Sequence, residues 1–92
     1  MANNLFVTYD LIKTKDYEAV YKAIKSLGDW AKVTESNWYV DSTYTAEQAA
    51  NIVRSAMDHD DKLVVVDAEN NSFYCYNITS DVLEYMQNHW NT

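Results

Sequence analysis

An α+β sandwich, one antiparallel sheet carrying its helices on one face, is the fold class this sequence predicts. Three observations predict it. Apolar runs over residues 5–11 and 63–66 read as strands. Stripes at 3.6-residue spacing alternate with them. Ninety-two residues with one Gly and no Pro suit a single domain, 1–92, whose elements are joined by tight polar turns. The chain is 48% hydrophobic and 14% aromatic, a composition that buries a core and excludes a disordered segment.

The first strand is Leu5-Phe6-Val7-Thr8-Tyr9-Asp10-Leu11, which ends an alternating run with a carboxylate. An Asp among Leu, Val, Tyr and Phe must sit at a rim, meet a partner or bind a cation. Lys13 to Lys15 form a polar loop, Asp16 can cap a helix start, and Tyr17, Val20, Tyr21, Ile24 and Leu27 recur at helical spacing. A helix over about 16–27 is expected, with Gly28 as its left-handed C-cap. Residues 30–42 turn to period two and are interrupted by Glu35-Ser36-Asn37, which predicts two strands or one strongly bent strand.

Thr45-Ala46-Glu47-Gln48 is a capping box, so a second helix starts there. Its stripe of Ala46, Ala49, Ala50, Val53, Ala56 and Met57 is mostly small and permits close approach to a sheet. Asp58 to Asp61 end it. Leu63-Val64-Val65-Val66 is apolar on both faces, the pattern of a strand covered twice. Asn70-Asn71 make a hairpin turn, Phe73 to Tyr76 return, and Val82, Tyr85, Met86 and Trp90 mark a last helix capped by Thr79 or Ser80.

The resulting order is βαββαβ with an added C-terminal strand and short helix, and short connections place both main helices on one sheet face: a ferredoxin-like sandwich. Phe6, Val64, Val66 and several aromatics lie on the other face and need covering. The C-terminal helix or a second copy must supply the cover, and a two-fold homodimer is the expected solution.

Charge and composition exclude several function classes. The net charge of −7 opposes a simple grip on phosphate backbones. Five lysines face three acids over residues 13–32, whereas two cations face nine acids over 41–92, so the first helix is the basic surface. No apolar run spans a bilayer, and Met1-Ala2-Asn3-Asn4 lacks the features of a signal peptide, so a cytoplasmic protein away from membranes is expected. The single Cys75 cannot form an internal disulfide and reads as a small packed hydrophobe. No phosphate-cradling Gly loop is present.

With its Val7-Thr8-Tyr9-Asp10-Leu11 strand, its helix and Gly turn, and Ser36-Asn37-Trp38-Tyr39 in a later strand, the chain resembles a known family over roughly residues 4–77. This is the Cas-two family, the small ferredoxin-fold subunit of CRISPR adaptation complexes, with its VapD-type relatives. Asn37 departs from the pattern, standing where those proteins usually carry an apolar residue. The resemblance implies a homodimer in which Asp10 of each subunit holds a divalent metal near the two-fold axis. It carries over Asp10, Ser36 and the aromatic Trp38 or Tyr39 as site residues, with Tyr9 beside them. Many members of that family are thought to act structurally.

The implied chemistry has a physical basis. Mg²⁺ or Mn²⁺ takes oxygen ligands and needs only one or two carboxylates besides water and substrate. Such an ion activates water and offsets charge on a scissile phosphate. No general base or arginine clamp lies near Asp10 in sequence, and Arg54, the only arginine, falls in the second helix. Asp58-His59-Asp60-Asp61 cannot all face one ion and reads as a solvated turn. Asp67 and Asp10 lie at opposite ends of an antiparallel strand pair and do not share a site. Trp30, Trp38, Tyr39, Tyr44, Tyr74 and Tyr76 exceed what one small core buries, which suggests dimer packing or a pocket that stacks a base. Two functions remain: a metal-dependent endonuclease acting through Asp10, and a non-catalytic dimer that binds a protein partner, a small nucleotide or nucleic acid, for example as a phage or defence module.

Overall fold

The first strand organises the molecule because its residues alternate strictly between two environments. In the computed structural model, which describes residues 3–11 and 17–90, β1 (Asn3–Asp10) buries Leu5, Val7 and Tyr9 and exposes Phe6, Thr8 and Asp10. It is flanked by β3 (Asn37–Ser42) and β4 (Lys62–Asp67), both antiparallel to it. β2 (Gly28–Thr34) adds to β3 and β5 (Ser72–Tyr76) adds to β4, which gives a five-stranded antiparallel sheet in the order β2-β3-β1-β4-β5.

The core lies between this sheet and two helices on one face. α1 (Tyr17–Lys25) buries Val20 and Ile24, and α2 (Ala46–Arg54) buries Ala46, Ala49, Ala50 and Val53 against Trp38, Val40, Leu63 and Val65. The small stripe of α2 works as its sequence implies. The capping box forms as expected: the Gln48 amide donates to the Thr45 hydroxyl at 3.1 Å, and the Thr45 amide donates to the Gln48 side chain at 3.0 Å. Asp16 and the loop of Lys13 to Lys15 lie outside the described residues.

Gly28 has a different role from the one its position suggests. Helix α1 closes through Ser26 and Leu27, whose amides bond back to Lys22 and Ile24. Gly28 instead opens β2 at φ 158°, where a Cβ would stand 2.1 Å from the carbonyl oxygen of Asp41. Its value is therefore close approach of two strands rather than a left-handed helix cap. Residues 30 to 42 form two strands rather than one bent strand, with a register irregularity between Lys32 and Thr34, and β2 is exposed along its whole length.

β4 also departs from expectation. Leu63 and Val65 are fully buried, but Val64 and Val66 are only half-buried, so the strand is covered on one face and partly open on the other. The last helix, α3 (Ser80–His89), buries no residue. It leans on the sheet through Trp90, whose ring lies 4.6 Å from that of Phe73 and whose Nε1 donates to the Asn71 carbonyl. Thr79 holds the N-cap position without capping an amide. Its hydroxyl bonds the Asp81 carboxylate instead, which holds that carboxyl below its usual range. Among the described residues no helix is long and apolar enough to cross a membrane.

Replacing Gly28 with Ala forces the β2–β3 pair apart at its first residue, and an expected loss of about 1–3 kcal/mol results from the crowded backbone. Urea denaturation measures it, and a midpoint unchanged from wild type would show that the strands absorb the methyl without strain.

Candidate functional site

The end of β1 is fastened by two hydrogen bonds to the β2–β3 turn and one from β3. The Tyr9 amide donates to the Ser36 carbonyl at 3.1 Å, the Tyr9 hydroxyl donates to the Glu35 carbonyl at 3.1 Å, and Trp38 Nε1 donates to the Tyr9 hydroxyl at 3.1 Å. Trp38 is almost wholly buried, so its indole N–H needs an acceptor inside the protein, and Tyr9 supplies it. Burial raises the Tyr9 phenol above its ordinary pKa, against the lowering effect of the Trp38 bond.

This fastening shapes a cleft of about 510 Å³ lined by Tyr9, Asp10, Leu11, Tyr17, Tyr21, Glu35 and Ser36. Residues far apart in sequence meet there because β1 and the β2–β3 turn end together and α1 starts above them. Three of the expected site residues, Tyr9, Asp10 and Ser36, line the cleft, and Trp38 stands behind Tyr9. Tyr39 does not join them. Alternation along β3 puts it on the opposite sheet face, where its hydroxyl donates to Asn4 at 2.6 Å and its ring packs 5.5 Å from Phe6.

Four contributors were not singled out from sequence. Tyr17 and Tyr21 read as core positions on the helical stripe, yet Tyr17 is 45% exposed and Tyr21 is half-buried at the edge of that stripe. Lys32 sits near the end of β2 and Glu35 in the β2–β3 turn. Lys32 Nζ lies 4.5 Å from the Tyr21 ring centroid and 5.7 Å from that of Trp38, donates to the Tyr21 hydroxyl at 3.3 Å, and pairs with Glu35 at 3.5 Å. The Tyr21 hydrogen bond raises the Lys32 ammonium above its ordinary pKa, with the Glu35 charge adding to it. The available sequence signal was the i, i+4 pair of tyrosines on α1.

Asp10 borders a second, shallower hollow of about 140 Å³ with Thr8, Lys62, Val64 and Ile78 on the open sheet face. It stands opposite Lys62 in the β1–β4 register, while Asp67 stands opposite Leu5. Five residues separate the two aspartates, about 17 Å along the strand, so they do not share an ion. Asp67 is buried and accepts from the Glu69 and Asn70 amides and the Asn70 side chain, which makes it the keystone of the β4–β5 turn. In the 58–61 turn, the buried Asp61 carboxylate accepts from the Asp58 amide, and Asn77 holds the His59 and Asp61 carbonyls at 2.6 Å each. Among the described residues no three His, Cys, Asp or Glu side chains cluster to hold a metal. Arg54 lies over the Tyr76 ring on β5, two strands from β1. Burial pushes the half-buried Cys75 thiol up, away from the reactive thiolate.

Comparison of the chain with protein-family models, with curated proteins and with solved structures finds no match.

Tyr9→Phe leaves the Trp38 indole N–H and the Glu35 carbonyl without their partner and is expected to cost about 1–3 kcal/mol of stability. Tyr39→Phe, which removes a hydroxyl from the half-exposed face, is the control and should cost less in the same urea titration. Equal effects would show that the Tyr9 lock adds nothing beyond an ordinary hydroxyl.

Proposed function

We propose that this chain is a ferredoxin-like βαββαβ sandwich of the Cas-two and VapD kind, extended by a strand and a helix, that works as a homodimer with Asp10 as its functional carboxylate. The strand order β2-β3-β1-β4, with β5 added outside β4 and both main helices on one face, supports the fold reading. The observation that carries the functional reading is the place of Asp10. Strand alternation puts it on the uncovered sheet face with Phe6 and Thr8, at the rim where that face meets the Ser36 cleft.

An uncovered face holding Phe6, Val64, Val66 and Phe73 is what a second copy would cover. Two copies related by a two-fold axis through this face bring two Asp10 carboxylates into one assembly. The Asp10 carboxylate offers only oxygen, which suits a hard cation, whereas Glu35 on the same lining is already paired with Lys32 at 3.5 Å. Asp10 of each subunit would hold Mg²⁺ or Mn²⁺. Bound there, the ion would activate water and neutralise charge on a phosphodiester. The chain's own contribution is placement: the Tyr9–Ser36 and Tyr9–Glu35 bonds fix Asp10 against the hairpin turn.

A second reading, a non-catalytic dimer that binds a partner, is favoured by the composition of the cleft. Its described lining is three tyrosines and two carboxylates with Leu11 and Ser36, and the neighbouring ammonium of Lys32 is already engaged by Tyr21 and Glu35. No arginine lines it.

Light scattering is expected to give twice the chain mass, and Phe6→Glu, which places a charge in the middle of the open face, is expected to return it to a monomer. A wild-type monomer at high micromolar concentration would end the dimer reading. For the chemistry, RNA and DNA are incubated with Mg²⁺ or Mn²⁺. Cleavage that is lost in Asp10→Ala is the outcome expected of a nuclease, whereas equal cleavage by wild type and variant would remove Asp10 from the reaction. No cleavage by the wild-type dimer would leave the binding reading.

A further inference from the structure

The cleft joins π faces to carboxylates, and that combination has a chemical preference. Tyr17 and Tyr21, one helical turn apart on α1, present tilted rings with centroids 6.1 Å apart, and the Tyr21 ring continues to Trp38 at 5.2 Å. Asp10 and Glu35 place two carboxylates on the same lining. Aromatic faces carry negative potential and attract ammonium or guanidinium groups, most strongly where a carboxylate stands beside them.

The chain already shows this lining accepting a cation. Lys32 Nζ lies over the Tyr21 ring, donates to its hydroxyl and pairs with Glu35. Tyr17 and Asp10 offer the same two elements again, an exposed ring and an exposed carboxylate, at the same cleft. A volume of about 510 Å³ is ample for a side-chain head group and a short stretch of backbone. Among the described residues, a phosphate entering here meets two carboxylates and one ammonium that is already paired. At long range the net charge of −7 draws cations toward the protein and repels polyanions.

We propose that the cleft between α1 and the β2–β3 turn is a recognition site for an organic cation, a guanidinium or ammonium group, seated on Tyr17 and Tyr21 and held by Asp10. Lys32 is its internal competitor. Such a group comes from a basic polypeptide or from a free polyamine. The inference does not depend on hydrolysis or on a metal, because the tyrosines and the carboxylate suffice.

Calorimetric titration in EDTA at low salt tests it, with an acetylated Gly-Arg-Gly-Arg-Gly amide as one probe and spermidine as the other. At least one probe should bind, and binding should weaken as salt rises. Binding of the peptide alone makes a polypeptide the source, binding of spermidine alone makes it a polyamine, and both outcomes support the site. Tyr17→Ala should weaken binding by about two- to thirtyfold while Tyr17→Phe keeps it, since the ring and not the hydroxyl is required. Asp10→Asn, which removes charge at an exposed position without changing shape, should also weaken it. Lys32→Met should tighten binding by freeing the Tyr21 face and Glu35. Failure of both probes to bind overturns the proposal, as does weaker binding in Lys32→Met. A short oligonucleotide that binds wild type and is lost in Lys32→Met overturns it too, because Lys32 would then be an anion ligand. Since EDTA removes divalent ions, a negative result here leaves the nuclease reading standing, and a protein without nuclease activity leaves this site standing.

Discussion

The two-residue period of β1, held between β3 and β4, is the constraint on which the rest of the structure depends. Leu5, Val7 and Tyr9 point toward the helices and are buried, while Phe6, Thr8 and Asp10 point away. A slip of one residue would exchange the two sets. Burial of each apolar side chain contributes about 1.5–3 kcal/mol, so the register is fixed by more energy than any surface contact could return. The same register decides where the Asp10 carboxylate goes. Asp10 is on the open face because Tyr9 is in the core.

Tyr9 also links packing to the site. Its ring belongs to the core, and its hydroxyl joins the buried Trp38 indole to the backbone of the β2–β3 turn. A buried indole N–H must be satisfied, and the acceptor chosen here brings Glu35 and Ser36 beside Asp10. The cleft is thus a by-product of completing the core's hydrogen bonds. Its chemistry is then set by the side chains that remain at its edge: the tyrosines of α1, two carboxylates and a lysine held over an aromatic face.

The two sheet faces differ in how they are finished. One is closed by α1 and α2 with their small and branched side chains. The other carries Phe6, Val64, Val66 and Phe73, touched at one end by Trp90 of the α3 terminus. α3 buries nothing along its length, so it does not act as a second layer. A half-covered apolar face and a polar cleft meet at Asp10, which is why both an assembly and a ligand site are read from the same strand end.

The sequence by itself determined most elements and their order. Strict alternation in β1, the Thr45–Gln48 capping box and the alanine stripe of α2 are local patterns whose physical consequences do not wait for a fold. It also set Asp10 apart and separated it from Asp67, because antiparallel pairing fixes which strand ends meet. Tertiary structure decided what local pattern leaves open. Gly28 looked like a helix cap, but the passing Asp41 carbonyl, thirteen residues away, is what requires the missing Cβ. Tyr39 looked equivalent to Trp38, but strand alternation put the two on opposite faces. Tyr17 and Tyr21 looked like core residues, since a 3.6-residue stripe does not show where the underlying sheet stops. They line the cleft because the β2–β3 turn, locked by Tyr9, ends beneath them, and such a meeting of distant segments is a property of packing that no local spacing encodes.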